Sequence, residues 1–186
     1  MNFLKRGAIA LVAGLAFFAV QGTSHAVDLT PDSVSLEVGM GEDDLVVTRV
    51  GLQWDWNQHW FNSNGTSLDG YFDLNAAWWH ASDWKDKDED KEIAVVGLTP
   101  VFRFMKTDKK GPYIEGGVGV AFFSKVYNNA GNNMGISFQF TEHLGVGYVF
   151  DNNIDLGLRV QHYSNAGIGS HNSGENLLML RAAYRW

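Results

Sequence analysis

The 186-residue chain has no cysteine, only 3 prolines and no excess of positive charge, and each absence narrows what it can be. Without cysteine there is no disulfide framework and no thiolate metal or redox site, so stability has to come from packing and backbone pairing. Scarce proline leaves long stretches free to join hydrogen-bonded ladders. A net charge of −7 argues against a nucleic-acid partner, which a basic face would recognise. Past residue 26 no apolar run is long enough to cross a membrane as a helix. Glycine (21), phenylalanine (12), tryptophan (7) and tyrosine (6) are abundant instead. That mixture is poor for helices and suits pleated strands joined by close turns.

The first residues read as an export signal. Lys5 and Arg6 precede an apolar stretch over residues 7–20, and Ser24-His25-Ala26 offers small residues for cleavage after Ala26. Residues 1–26 are therefore expected to be a signal peptide, and residues 27–186 a single domain.

Beyond the signal, apolar residues recur with period two, the pattern of a strand with one apolar face. Val46, Val50, Leu52 and Trp54 share a phase, with Arg49, Gln53 and Asp55 in the other. The same holds for Phe72, Leu74 and Trp78 against Asp73 and Asn75, and for Leu178, Leu180 and Tyr184 against Arg181 and Arg185. About eight such segments, the first near Val34 to Met40, approach the length of a membrane-crossing strand. Their polar face carries charges of both signs, which suits a small interior filled by ion pairs. Aromatic residues near strand ends (Trp54, Trp56, Trp78, Trp79, Tyr148, Phe150) resemble interfacial girdles. The expected fold is all-β: an eight-stranded antiparallel up-and-down transmembrane β-barrel of a Gram-negative outer membrane. With both ends in the periplasm, the outer loops are 41–44, 82–92, 125–135 and 165–175, and Asp151-Asn152-Asn153 is a periplasmic turn. Residues 57–66 are long for a periplasmic turn. The Lys85–Asp90 charge run reads as a solvated loop rather than a metal site.

Two polar residues break the apolar face of the seventh strand. Ile154, Leu156, Leu158 and Val160 are followed in the same phase by His162 and Ser164, at the outer end of the barrel. A hydroxyl and an imidazole two positions apart can act as nucleophile and base, and their place on the lipid side points to a lipid substrate. Glu142 interrupts the sixth strand in the same way, after Phe138 and Phe140. If the turn centres on Asn152, Glu142 lies directly across from His162. A carboxylate on that face is a functional candidate. Of the remaining histidines (His59, His80, His143, His171), His143 takes the interior phase, where a structural pair is expected.

The stretch His162-Tyr163-Ser164-Asn165-Ala166-Gly167, followed by Asn172-Ser173-Gly174, resembles the signature of the lipid A 3-O-deacylase (PagL-like) outer-membrane enzymes; Leu144-Gly145-Val146-Gly147-Tyr148 is similar to that family as well. The match covers about the last fifty residues. The resemblance implies hydrolysis of the 3-O-linked hydroxyacyl ester of lipopolysaccharide lipid A, without metal or cofactor, in contact with outer-membrane lipids. It makes Ser164 the nucleophile and His162 the base, and suggests oxyanion-binding amides at Asn165, Gly167 and Asn172. The family's third residue, a glutamate, corresponds to Asn176 here. Asn176, Glu142 and, if a bulge turns it outward, Glu175 remain candidates to orient His162. The competing readings are a non-catalytic adhesion or structural barrel and a lipid A acyltransferase.

Overall fold

The computed structural model describes residues 29–85, 87 and 90–186, so the expected signal peptide lies outside the described residues. Eight long strands form: β1 (Ser33–Met40), β2 (Val46–Asp55), β3 (Thr66–Ala81), β4 (Lys91–Lys106), β5 (Gly111–Phe123), β6 (Phe138–Val149), β7 (Ile154–Ser164) and β8 (Glu175–Arg185). Each pairs antiparallel with its sequence neighbours, and β8 returns to β1 through Met40↔Leu178 and Ser33↔Arg185. The ring of eight is closed, leaving none of its strands as an edge. This is the expected up-and-down barrel.

Its faces are inverted relative to a water-soluble barrel. Leu36, Val50, Val96, Ile114, Leu156 and Leu180 point outward and are exposed, while the lumen holds charge. An apolar belt of that extent matches a hydrocarbon solvent rather than water. Inside, Arg49 bonds Glu37 at 3.2 Å and also Asp73. Arg103 bonds Glu115 at 2.7 Å and Asp155 at 2.9 Å. Arg159 reaches Glu115 at 2.6 Å and Glu37 at 3.4 Å, and Arg181 holds Asp155 at 2.6 Å. Four arginines thus meet four carboxylates, and Tyr71 and Tyr113 donate to Glu115 (2.8 Å) and Asp155 (2.7 Å). His143 is buried beside them in the interior phase, its Nε2 3.9 Å from Glu115 and outside hydrogen-bond distance. Tyr113 is large, and Gly147 makes room for it: a Cβ there would stand 2.3 Å from the phenol oxygen. Part of the Leu144–Tyr148 motif is therefore a lumen-packing requirement.

The outer end of the lumen is sealed by apolar packing. Trp79 packs edge-on to Phe123 (4.9 Å), Tyr163 (5.1 Å) and Tyr127 (5.5 Å), with Leu45, Met134, Leu177 and Met179 in the same buried cluster. Trp79 was expected in an interfacial girdle, but successive residues alternate faces, so Trp78 meets lipid and Trp79 the plug. Residues 57–66 are long because they fold back: a short strand (Trp60–Ser63) pairs with the start of β3 through Ser63↔Thr66 and Trp60↔Leu68. Trp56 lies over Gly70 and packs on Trp60, Phe72 and Phe102.

The charged lattice makes a test of the fold. Removing Glu115 leaves Arg103 and Arg159 short of a partner in a buried setting, a loss of about 3–5 kcal/mol. Glu115→Leu is expected to lower the urea midpoint of the folded, heat-modifiable form accordingly, whereas Leu180→Ala on the lipid side shifts it far less. Equal midpoints for the two variants would refute the assignment.

Candidate active site

The wall formed by β6, β7 and β8 carries a polar row near its outer end. Register places Glu142 opposite His162, and His162 opposite Asn176, so three polar side chains face outward side by side on adjacent strands. Nδ1 of His162 lies 2.7 Å from Oδ1 of Asn176. An amide oxygen only accepts, so the imidazole carries its proton on Nδ1 and presents Nε2 as the basic nitrogen. Ser164 follows on the same strand and face, its Cα about 6.6 Å further toward the outside. Both side chains are half-buried. Between them Tyr163 points inward, and its burial against Trp79 and Phe123 anchors this segment of β7.

Glu175 does not face this row. It pairs with Tyr163 in regular register, without a bulge, and its side chain turns inward. There it accepts from Asn132 Nδ2 (2.7 Å) and from the Glu42 backbone N–H (3.1 Å), tying two outer loops to β8. Glu175 is therefore a loop clasp, not a partner of His162. Glu142 stands across from His162 with its carboxylate exposed, while Nδ1 is engaged by Asn176.

The loop after Ser164 is built around Asn165. Ile168 N–H bonds the Asn165 carbonyl at 3.0 Å, and the two residues between, Ala166 (φ 53) and Gly167 (φ 77), both have positive φ, as in a type I′ turn. The buried Asn165 amide donates to Met134 O (2.5 Å) and His171 O (2.6 Å) and accepts from Gly167 N–H (2.8 Å). Its own N–H donates to Asn172 Oδ1 at 2.7 Å. The N–H groups of Asn165 and Gly167, expected to serve an oxyanion, are thus committed within the loop. Asn172 is exposed, and its Nδ2 donor has no partner among the described residues.

Several contacts escaped the sequence reading. Gly174 (φ 76) lies against the imidazole, where a Cβ would come within 2.9 Å of His162 Cε1. Gly135 allows the loop between β5 and β6 to touch the loop between β7 and β8; a Cβ there would be 2.4 Å from His171 O. Asn132 holds the Gly174 carbonyl at 2.7 Å. The signals were present as Asn172-Ser173-Gly174 and as the asparagines at 128, 129, 132 and 133, but their contacts are non-local. An apolar groove of 470 Å³ opens beside His162 and Glu142 and runs over Val160 and Leu144 toward β5 and β4. Among the described residues no group of three or more histidines and carboxylates is placed to hold a metal ion.

Comparison with known proteins bears on the family and the fold. The family model described as lipid A 3-O-deacylase (PagL) matches residues 46–185. A protein of Pseudomonas aeruginosa named lipid A deacylase PagL is 33% identical over 161 residues, 86% of this chain and 90% of that protein. One of the same name from Bordetella bronchiseptica is 30% identical over 191 residues, spanning 100% of both. The crystal structure of the outer membrane enzyme PagL superposes with a TM-score of 0.73 at 30% identity, covering 83% of this chain and 99% of that one. The N-terminal barrel of Pseudomonas aeruginosa OprF, at 14% identity and a TM-score of 0.52, shares the fold alone. With a family model covering most of its length and two such relatives, this outer-membrane β-barrel belongs to the lipid A 3-O-deacylase (PagL) family.

Proposed function

We propose that the protein hydrolyses the 3-O-linked hydroxyacyl ester of lipid A in the outer leaflet, with Ser164 as nucleophile, His162 as general base and acid, and Asn176 orienting the imidazole. The observation that carries this is the 2.7 Å bond from His162 Nδ1 to Asn176 Oδ1 on the lipid-facing wall, with Ser164 next in phase on the same strand. That bond leaves Nε2 free to take the Ser164 proton as Oγ attacks the ester carbonyl. His162 then returns the proton to the sugar oxygen as it leaves. Water, deprotonated by the same nitrogen, releases the acyl chain as a carboxylic acid and restores Ser164. Nδ2 of Asn172 is the donor available for the developing oxyanion. The site sits where a lipid ester would lie, at the level where headgroup meets hydrocarbon, so the substrate need not leave the membrane.

Asn176 replaces a carboxylate with a neutral amide. It sets the tautomer as a carboxylate would, but contributes less to holding the imidazolium. An acyltransferase would use a similar wall, and mass spectrometry of lipid A from expressing cells separates the two: loss of one hydroxyacyl chain supports hydrolysis, and gain of a palmitate overturns it.

Ser164→Ala is expected to leave a heat-modifiable barrel while lowering deacylation by about 10³-fold or more. Retained activity in that variant refutes the nucleophile. Asn176→Ala is expected to cost about 10²-fold in kcat and Asn176→Glu to match or exceed the parent; a fully active Asn176→Ala would remove that residue from the mechanism. Asn165→Ala, which unties the turn from Met134 O and His171 O, is expected to lower kcat with the barrel still folded. An unaltered rate would show that the loop does not shape the site.

A further inference from the structure

We infer that Asn132 is a positioning residue for this reaction: by holding the Gly174 carbonyl, it seats the Gly174 backbone against the Cε1–Nε2 edge of His162 and keeps the basic nitrogen aimed at Ser164. The inference rests on the Ser164/His162 reading above and adds what fixes the angle of the ring. One hydrogen bond does not fix it. The bond between Nδ1 and Asn176 Oδ1 sets the tautomer, but an imidazole held at one nitrogen can still rock about that bond and swing Nε2 away from the hydroxyl. The second restraint is steric. Gly174 (φ 76) is so close that a Cβ there would stand 2.9 Å from Cε1 and 3.3 Å from Nε2. Its backbone therefore lies along the edge that carries the basic nitrogen.

What keeps Gly174 in place comes from the loop between β5 and β6. Asn132 Nδ2 donates to Gly174 O at 2.7 Å and to Glu175 Oε2 at 2.7 Å. An amide nitrogen has two hydrogens and both are used here, which neither a hydroxyl nor a carboxylate could match. The arrangement leaves Asn132 Oδ1 buried with no partner among the described residues. An unpaired buried acceptor costs stability, so the side chain is oriented for what its nitrogen does. The loop presents Asn132 on a tight hairpin: Asn128 pairs with Asn133 and Asn129 with Asn132, around Ala130 (φ 45) and Gly131 (φ 81). Asn129 ties this hairpin down, accepting from Asp83 N–H at 2.9 Å and donating to Asp43 O at 3.1 Å. Asn133 O accepts from Ser173 N–H at 3.2 Å, which sets the hairpin beside the loop between β7 and β8. Gly174, Glu175 and Asn176 are consecutive, so one asparagine steadies the two residues that precede the partner of Nδ1. Asn132 acts on the base only through this backbone.

The test uses the full-length barrel in detergent with lipid A as substrate, each variant first checked for heat-modifiable folding. Asn132→Ala is expected to lower kcat about 10–100-fold while KM stays within about twofold, because ring alignment rather than lipid binding is lost. Asn132→Gln, which keeps the two-hydrogen nitrogen on a longer arm, should recover part of the rate, whereas Asn132→Asp, with no donor, should not. Gly174→Ala, whose Cβ would press on Cε1, should reproduce the loss with Asn132 intact. General loosening of the loop is read by Asn129→Ala, which cuts the ties to Asp83 and Asp43 and leaves Gly174 O bonded; its kcat should stay within about threefold of the parent. Equal losses in Asn129→Ala and Asn132→Ala overturn the inference, as does a loss in Asn132→Ala confined to KM, or a parental rate in Asn132→Ala or Gly174→Ala. NMR of isotope-labelled histidine rings gives a readout independent of turnover, with the His162 signals identified by their absence in His162→Ala. The parent ring should give one sharp Nδ1-protonated set and Asn132→Ala a broadened one, and unchanged signals refute the positioning role. Ser164→Ala is the separate control: if it still cleaves lipid A, the nucleophile reading fails, whatever Asn132 does. If it is inactive and Asn132→Ala is not slowed, this inference alone fails.

Discussion

The lattice of Arg49, Arg103, Arg159 and Arg181 against Glu37, Asp73, Glu115 and Asp155 is the constraint on which the rest of the molecule depends. A barrel of eight strands has room inside for side chains and little else. Filling it with matched charges satisfies the polar phase of every strand, which then leaves the apolar phase to face lipid. The lattice also fixes register. A slip of one residue on a strand that contributes to the lattice would bring charges to the hydrocarbon and leave their partners unpaired, so those strands cannot drift past their neighbours. The apolar plug around Trp79 completes the seal at the outer end, and the molecule is a solid post rather than a channel.

That rigidity is what allows a site to be built on the outside of the post. His162, Glu142 and Asn176 sit on three adjacent strands whose alignment is set by the lumen, and Tyr163 pins the intervening position inward. Loops add only the outer boundary. The Asn165 turn, the Asn132 bridge to Gly174 and the Glu175 clasp on Glu42 are joined to one another, so three loops from different parts of the chain act as a unit above Ser164. Positive φ at Ala166 and Gly167 marks where the backbone is bent to start that unit.

The neutral amide of Asn176 has an electrostatic side. A charge facing lipid is costly away from the interface, and a neutral amide keeps the histidine oriented without placing one on β8. The charge that does face outward here is Glu142, on the other side of His162 and within the groove.

Much of this was legible from the chain alone, because period two translates directly into faces. The alternation of apolar and charged residues set the strand number, the lipid-facing phase and the outward position of Glu142, His162, Ser164 and Asn176, and the three-residue turn at Asp151-Asn152-Asn153 set the Glu142–His162 register that the pairing bears out. Alternation says nothing about what lies beyond a strand end or on a distant strand. Tertiary structure therefore decided that Asn176 holds Nδ1 and that Glu175 turns inward. It also decided that the Asn165 amide is spent on the loop between β5 and β6. Each of those depends on residues brought together by barrel closure and loop packing. Local sequence carries the face of a side chain, whereas only the closed ring determines its neighbour.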